Sequence, residues 1–266
     1  MTDSAGFPRS ILVTGAAGNL GQVVAQHLTR RLRAGQISQL RLADIQPMPA
    51  VEGVEIIQTP ISERQTAFDL AQGVDAIVHL SGISTENEWE ALIPANLAAT
   101  AHLWDAAVAH GVDRILFASS NHAIGMYPVE ETIDDTAPPR PDSRYGLTKA
   151  FGEQLGALYA AKTHVRCFAM RIGTSFPAAT ARRHLKTFQS HADFTRLIDT
   201  GLTADYRFEV VYGMSDNEDA FWDNANARRL GYCPQDHPAD FMTELTDSKE
   251  YRLQGGSFAD APLGKS

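Results

Sequence analysis

The segment Ile-Leu-Val-Thr-Gly-Ala-Ala-Gly-Asn-Leu-Gly occupies residues 11–21. Its apolar start predicts a strand, and the Val-Val-Ala-Gln-His-Leu of residues 23–28 predicts a helix. Between a strand and a helix, glycines permit a tight turn, and the free amides of the helix N-terminus can face a pyrophosphate. A glycine segment alone is equally consistent with an ordinary strand-to-helix loop, so the next predicted strand has to distinguish the two interpretations.

The second predicted strand, residues 40–43, leads directly into a carboxylate. Asp44 lies 23 residues after the last glycine of the turn. A carboxylate at this place accepts hydrogen bonds from a ribose diol and repels a 2′-phosphate, which favours NAD over NADP. Arg41 is the nearby cation that could accommodate a phosphate, whereas Ile45 and Gln46 offer none. The sequence therefore predicts a dinucleotide site that takes NAD.

Tyr145 and Lys149 lie four residues apart in a predicted helix, so both side chains share one face. A tyrosine has a pKa near ~10, and we expect the Lys149 ammonium to lower the Tyr145 pKa toward neutrality, where proton transfer is efficient. Such pairs also occur as ordinary amphipathic pairs. The Ser-Ser-Asn-His of residues 119–122 directly follows the apolar run 115–118. It favours proton-transfer chemistry at Tyr145 over an ordinary amphipathic pair.

The alternation of apolar runs with helical segments predicts one domain over residues 1–266. Its fold class is α/β, a Rossmann-type doubly wound parallel sheet with helices on both faces and a small C-terminal substrate-binding extension. The predicted strands are residues 11–13, 40–43, 54–57, 76–80, 114–118 and 165–170. Ligands bind beyond the carboxyl ends of such strands, so the residues that follow each strand are the candidates for a site.

Composition excludes several classes of function. The chain has 23 Lys and Arg against 32 Asp and Glu, and its net charge of -9 argues against nucleic acid as a partner. Two cysteines are too few for a disulfide framework or a zinc site, and we expect no metal. No signal peptide and no apolar run of about 20 residues is evident, so we expect a soluble cytoplasmic protein with no membrane contact.

Five motifs in order resemble the extended short-chain dehydrogenase/reductase superfamily: residues 15–21, 79–82, Asn96, 119–120 and 145–149. Residues 119–125, 171–173 and 221–224 resemble the uronate dehydrogenase family within it, and the similarity covers nearly the whole chain. The resemblance implies oxidation of a free hexuronic acid, such as galacturonate or glucuronate, at C1 to the aldarolactone with NAD. It leaves open the preferred uronic acid and whether the protein is a homo-oligomer.

The resemblance also implies residue roles. Tyr145 would be the base toward the C1 hydroxyl, Lys149 would lower its pKa and hold the nicotinamide ribose, and Ser120 would hydrogen-bond the reacting oxygen. The implied cofactor contacts are Gly15, Gly18, Asn19, Leu20, Gly21, Asp44, Leu80, Ser81, Gly82, Asn96, Tyr145, Lys149 and Ile172. The implied substrate contacts are Ser84, Ser120, Asn121, His122, Tyr145, Thr174 and Arg183, with Arg183 on the carboxylate.

The chain departs from the family pattern in two places. Thr174 stands where relatives have serine, and the Thr-Pro-Ile of residues 59–61 replaces an Asp-Leu pair whose carboxylate contacts adenine. That adenine contact is therefore not transferable to this chain.

Structural interpretations compete with some functional ones. Asn96 is equally consistent with bracing a helix, and Arg183, next to Arg182, is nearly as consistent with a solvated charge. We expect His79 to pack beneath the sheet edge and Trp222 to anchor the C-terminal segment. The proline-rich loop of residues 138–141 is assigned no chemistry.

Two other functions remain open. A sugar-nucleotide epimerase or dehydratase needs a substantial C-terminal lobe, yet only 95 residues follow Arg171. A dehydratase would also want an acid beside the active-site serine, where Asn121 and His122 stand. A non-catalytic NAD-binding sensor could lose the tyrosine or the lysine, and this chain keeps both.

Overall fold

The computed structural model describes residues 6–247 and 249–264. Its strands are β1 (Ser10–Thr14), β2 (Gln39–Asp44), β3 (Glu55–Gln58), β4 (Ala76–His79), β5 (Arg114–Ser120), β6 (Arg166–Ile172), β7 (Ala179–Ala181), β8 (Phe208–Gly213) and β9 (Met242–Asp247). Seven of them form a parallel sheet in the order β3-β2-β1-β4-β5-β6-β8, and β7 pairs with β9 separately. The order reverses between β1 and β4, which makes this position the switch point of a doubly wound sheet.

Helices cover both faces of the sheet. They are α1 (Asn19–Arg33), α2 (Arg64–Ala71), α3 (Trp89–Leu92), α4 (Ala99–His110), α5 (Arg144–Lys162), α6 (His184–Thr187), α7 (His191–Thr203), α8 (Ala225–Arg229) and α9 (Ser257–Asp260), with a π-helical turn at Ile93–Ala98 and 3-10 turns at Asn121–Ala123 and Pro238–Phe241. Successive residues of a strand point to opposite faces. Ile11 accordingly packs in one core cluster with Val24 of α1 and Leu197 of α7, whereas Leu12 packs with Trp104 of α4 in the other.

Close contact with the sheet fixes the position of helix α5. Its N-cap, Ser143, accepts a hydrogen bond from the Gly146 amide at 2.9 Å, which defines the start of the helix. A Cβ added at Gly152 would lie 2.1 Å from the Phe117 ring, and one at Gly156 would lie 2.4 Å from Cys167 Sγ. Only glycine therefore lets α5 approach the sheet this closely.

A buried ion pair joins α5 to the sheet. Arg171 Nη2 lies 2.9 Å from Glu153 Oε2, and the side chains are 2% and 1% exposed. Arg171 Nε also donates to Glu153 Oε1, at 3.0 Å, and Ser119 Oγ donates to the same oxygen at 2.5 Å. One carboxylate on α5 thus binds the ends of both β5 and β6.

The predicted fold class is confirmed, and all six predicted strands are present. The sequence missed β8, the strand at the sheet edge, because its first half is only partly buried and Glu209 interrupts the apolar run. It also missed the pair of β7 and β9, which lies apart from the main sheet. Within the described ranges, none of the helices is long and apolar enough to cross a membrane.

Replacing Glu153 with Gln should lower the free energy of unfolding by about 3–5 kcal/mol, because Arg171 would stay buried without a counter-charge. Urea denaturation followed by circular dichroism measures this change. Asp205→Asn is the control: it removes the carboxylate of an ion pair with Arg166 in which the aspartate is 99% exposed, and should change stability little. Similar small effects of both substitutions would contradict a central role for the buried pair.

Candidate active site

Two adjoining cavities lie at the carboxyl ends of the strands, around the switch point. Their volumes are about 430 Å³ and about 650 Å³, and here they are called the smaller and the larger cavity. Both are lined by Gly15, Gly18, Leu80 and Gly82, so they meet along the glycine turn. Every residue that the sequence assigned to cofactor or substrate lines one of them, with the exception of Asn96.

The glycine turn has the shape that a pyrophosphate needs. Gly15 has a φ of +72°, and a Cβ there would lie 2.6 Å from the Ser81 nitrogen. A Cβ at Gly21 would lie 1.9 Å from the Gly15 oxygen, so the turn packs tightly against the first turn of α1. Gly18 caps α1 without a side-chain hydrogen bond and the first turn carries no acidic residue, which leaves the helix amides open to an anion.

Asp44 lies in the smaller cavity, where the sequence predicts the ribose. Its two carboxylate oxygens accept hydrogen bonds from the Ala17 and Gln46 amides, each at 2.9 Å. Arg41, the possible phosphate partner, donates instead to Glu55 Oε2 at 2.7 Å and to the Leu70 oxygen at 2.6 Å. No lysine or arginine belongs to the described lining of this cavity, so the arrangement fits the diol of NAD better than a 2′-phosphate.

The smaller cavity is also lined by the Thr-Pro-Ile segment. Residues 59–61 line it together with Ile45 and Ala95. This wall therefore offers the apolar side chains of Ile45, Pro60 and Ile61 for packing.

Asn96 braces a loop and lines neither cavity. Its Oδ1 accepts a hydrogen bond from the Ile83 amide at 2.8 Å, and its Nδ2 donates to the Ile83 oxygen and to Thr148 Oγ1, both at 2.9 Å. Both ends of the buried amide are occupied within the protein, which favours the structural interpretation, and the cofactor contact of Asn96 stays a prediction.

Tyr145, Lys149 and Ser120 all line the larger cavity. Lys149 Nζ lies 5.7 Å from the centre of the Tyr145 ring, and the interaction with the Ser120 hydroxyl acts to lower the pKa of Tyr145. Burial lowers the pKa of Lys149 to about 8, so the ammonium form still prevails at neutral pH. Helix α5 and the end of β5 thus bring the three predicted catalytic residues together.

The expected direction of the Tyr145 pKa is wrong for this structure. Burial raises the pKa of Tyr145 to about 12, the negative charge of Asp142 acts in the same direction, and the hydrogen bond from Ser120 opposes them. Desolvation of the phenolate therefore outweighs the neighbouring lysine. The sequence pattern could not reveal this, because the helical spacing says nothing about how deeply the phenol is buried.

Arg183 points into the larger cavity with Asn121 and Thr174. The orientation of the Asn121 amide that satisfies both its ends accepts from Arg183 Nη2 at 2.9 Å and donates to the Ile172 oxygen at 3.1 Å. Arg183 Nη1 lies 3.4 Å from Thr174 Oγ1. Burial lowers the pKa of Arg183 to about 10, which keeps it positive at neutral pH. The solvated-charge interpretation is wrong for Arg183 and fits the exposed Arg182 instead.

The remaining predicted residues occupy distinct places. Ser84 and His122 line the larger cavity. His79 is buried, and its ring nitrogens lie 2.7 Å from Thr14 Oγ1 and 3.2 Å from Thr100 Oγ1; burial lowers its pKa to about 3. His79 therefore packs beneath the site, as expected.

The sequence missed the residues that close the larger cavity. The C-terminal segment lines this cavity with Tyr251, Ser257 and Phe258. The sequence predicted no contact with substrate or cofactor for these three residues. Trp222 anchors this segment as expected, because its Nε1 donates to Gln254 Oε1 at 2.9 Å. Asp142 was missed because it stands beside the proline-rich loop, to which the sequence assigned no chemistry.

The glycine turn, the parallel sheet and the Tyr145–Lys149 pair in one cavity define an extended short-chain dehydrogenase/reductase. Residues 11–199 match the model of the NAD dependent epimerase/dehydratase family. Uronate dehydrogenase from Pseudomonas putida is 41% identical over 94% of this chain and 96% of its own length. The chain belongs to the NAD-dependent epimerase/dehydratase family and, within it, to the uronate dehydrogenase family.

Solved structures agree with this assignment. A mutant uronate dehydrogenase from Agrobacterium tumefaciens, complexed with NAD, has a TM-score of 0.87 at 38% identity, covering 96% of this chain and 98% of that chain. Glucuronic acid dehydrogenase from Chromohalobacter salexigens has a TM-score of 0.88 at 37% identity, covering 96% of this chain and 98% of its own. NAD is the cofactor of this family, and the glycine turn and Asp44 fit it.

Asp44→Ala should weaken the binding of NAD and narrow the preference for NAD over NADP, because the substitution removes both a ribose acceptor and the charge that repels a 2′-phosphate. Titration calorimetry with each dinucleotide measures the ratio of the two dissociation constants. A wild-type preference for NADP, or an equal loss for both dinucleotides, would contradict the role of Asp44.

Proposed function

We propose that this chain is a cytoplasmic, NAD-dependent uronate dehydrogenase that oxidises a free hexuronic acid at C1 to the aldarolactone. Galacturonate and glucuronate are the substrates of the right chemistry. The observation that carries the proposal is the presence of the Arg183 guanidinium in the same cavity as Tyr145 and Ser120. A cation at one side and a proton acceptor at the other match a sugar ring with a carboxylate at C5 and a reacting hydroxyl at C1.

In the proposed reaction the Tyr145 phenol first loses its own proton to solvent, and the phenolate oxygen then takes the hydroxyl proton of C1. The C1–H bond breaks, and its electron pair leaves with the hydrogen as hydride while the carbonyl of the lactone forms. Ser120, which lines the same cavity as Tyr145, would hold the reacting oxygen beside the phenol. The buried ammonium of Lys149 stabilises the phenolate during proton transfer. Bound NAD supplies the acceptor for the hydride.

The substrate contacts divide between the two ends of the ring. Arg183 is a fork of donors suited to the carboxylate, and Asn121 and Thr174 hold that fork in place. Ser84 and His122 line the cavity where the ring hydroxyls would lie. The relatives named for uronate and glucuronic acid support this substrate class.

A sugar-nucleotide substrate is disfavoured by the size and closure of the larger cavity. Its volume of about 650 Å³ also has to hold the nicotinamide end of the cofactor, and Phe258 and Tyr251 close it on the side of the C-terminal segment. A free sugar fits that space. A sensor without activity would have no need for the aligned Ser120, Tyr145 and Lys149.

Tyr145→Phe should reduce kcat on uronate by roughly a hundredfold or more, because general base catalysis contributes on the order of 10²–10⁴. The affinity for NAD should stay close to that of the wild type. Formation of NADH monitored by absorbance, with calorimetry for NAD binding, separates the two effects. Substantial residual turnover would remove Tyr145 from its assigned role.

Arg183→Ala should reduce kcat/KM for the uronate by about tenfold or more, because charge-assisted hydrogen bonds contribute roughly 1.5–3 kcal/mol each. The neutral hexose of the same ring stereochemistry should be affected little. Arg182→Ala provides the matched control, since Arg182 is exposed and should change neither substrate.

The pattern of losses identifies the role of Arg183. Equal losses on both substrates would indicate that Arg183 acts only through the C-terminal segment, whose Gln254 oxygen accepts a hydrogen bond from Arg183 Nε at 3.0 Å. No loss on either substrate would exclude a contact with the carboxylate.

A further inference from the structure

The imidazole of His122 is held from two sides. Its Nδ1 lies 2.8 Å from Asp142 Oδ2, and its face stacks on the Phe258 ring with 4.0 Å between ring centres. The Tyr145 ring meets it edge-on, with 5.8 Å between centres. Because Nδ1 is directed to Asp142, the opposite nitrogen, Nε2, is left for the cavity that His122 lines. Among the described residues, Nε2 has no hydrogen-bond partner in the protein.

Asp142 is built into the fold beneath this histidine. Its side chain has no exposed surface, and its Oδ1 accepts a hydrogen bond from Ser143 Oγ at 2.8 Å. A Cβ at Gly125 would lie 1.9 Å from Asp142 Oδ2, and one at Gly255 would lie 2.0 Å from it. The Asp142 carboxylate therefore occupies the space that a side chain at either position would need. An ionised carboxylate only accepts hydrogen bonds, so Nδ1 of His122 has to be the donor.

We propose that Asp142 is a positioning residue that keeps the His122 proton on Nδ1, so that Nε2 faces the substrate as an acceptor and selects sugars that donate a hydroxyl there. The tautomer of a histidine is set by the hydrogen bond that its other nitrogen makes. The part that concerns sugars rests on the proposed function, whereas the tautomer itself does not.

Asp142→Asn should reverse the tautomer, because of Ser143. Ser143 Oγ already accepts the Gly146 amide at 2.9 Å, so its hydroxyl hydrogen is directed toward residue 142. The amide oxygen of an asparagine would take that hydrogen, and its NH₂ group would then face His122 Nδ1. A donor at that place makes Nδ1 the acceptor and moves the proton to Nε2.

Nitrogen NMR of the imidazole rings tests the tautomer directly, without any substrate. The chain has nine histidines, and comparison with His122→Ala identifies the signals of His122. At alkaline pH we expect the wild type to carry its proton on Nδ1 and Asp142→Asn to carry it on Nε2. A wild-type proton on Nε2, or on both nitrogens, would overturn the proposal whether or not the substituted protein folds.

Substrate analogues test the consequence for specificity. Fluorine in place of a ring hydroxyl can accept a weak hydrogen bond but cannot donate one. At one of positions 2, 3 and 4 of the uronate, the wild type should lose about tenfold or more in kcat/KM on fluorination, since a site built around a hydroxyl rejects an analogue that lacks its hydrogen. The ratio of kcat/KM for the uronate to kcat/KM for that fluorinated analogue should fall to about threefold or less in Asp142→Asn.

The matched control is Asp205→Asn, the same chemical change on an exposed carboxylate, which should leave the ratio at its wild-type value. A merely structural Asp142 would lower activity on uronate and analogue alike and leave the ratio unchanged, which would overturn the specificity role. If the wild type oxidised no uronate at all, the proposed function would fail, while the NMR result would still decide the tautomer.

Discussion

The buried pair of Glu153 and Arg171 is the contact on which the geometry of the site depends. It joins the middle of α5 to the end of β6, and Ser119 adds the end of β5 to the same carboxylate. The residues next to these anchors line the larger cavity: Ser120 follows Ser119, and Lys149 lies one helical turn before Glu153. A buried ion pair is a weak source of net stability, but it tolerates one arrangement of its partners. The pair therefore fixes the position of α5 relative to the ends of β5 and β6.

Burial sets the charge states of the titratable side chains in the larger cavity. Desolvation moves the pKa of Tyr145 up and that of Lys149 down, each away from its charged form. The buried Asp142 raises the pKa of Tyr145 and also that of Arg183, so one carboxylate acts on both ends of the cavity. A resting site of this kind holds a neutral phenol, an ammonium and a guanidinium. An anionic sugar would meet these two cations beside the Tyr145 phenol.

The C-terminal segment completes the site and is tied to it at several points. Glu86, after β4, accepts the Tyr145 amide and the Gly264 amide, each at 3.0 Å, so one carboxylate links the start of α5 to the end of the described chain. Trp222 holds Gln254, and Arg183 donates to the Gln254 oxygen. Phe258 then lies against His122. The contacts that close the cavity therefore also position the side chains that face the substrate.

The sequence by itself determined the local features of this protein. The glycine turn, Asp44 at the end of β2 and the Tyr145–Lys149 spacing depend on neighbours a few residues away, and parallel strands bring their carboxyl ends to one edge by topology alone. Burial and long-range partners were decided only by the tertiary structure. It alone shows that Asn96 braces residue 83, that Arg183 faces the cavity while Arg182 does not, and that Asp142 lies under His122. The pKa of Tyr145 rises because desolvation depends on everything packed around the phenol, which no helical spacing records.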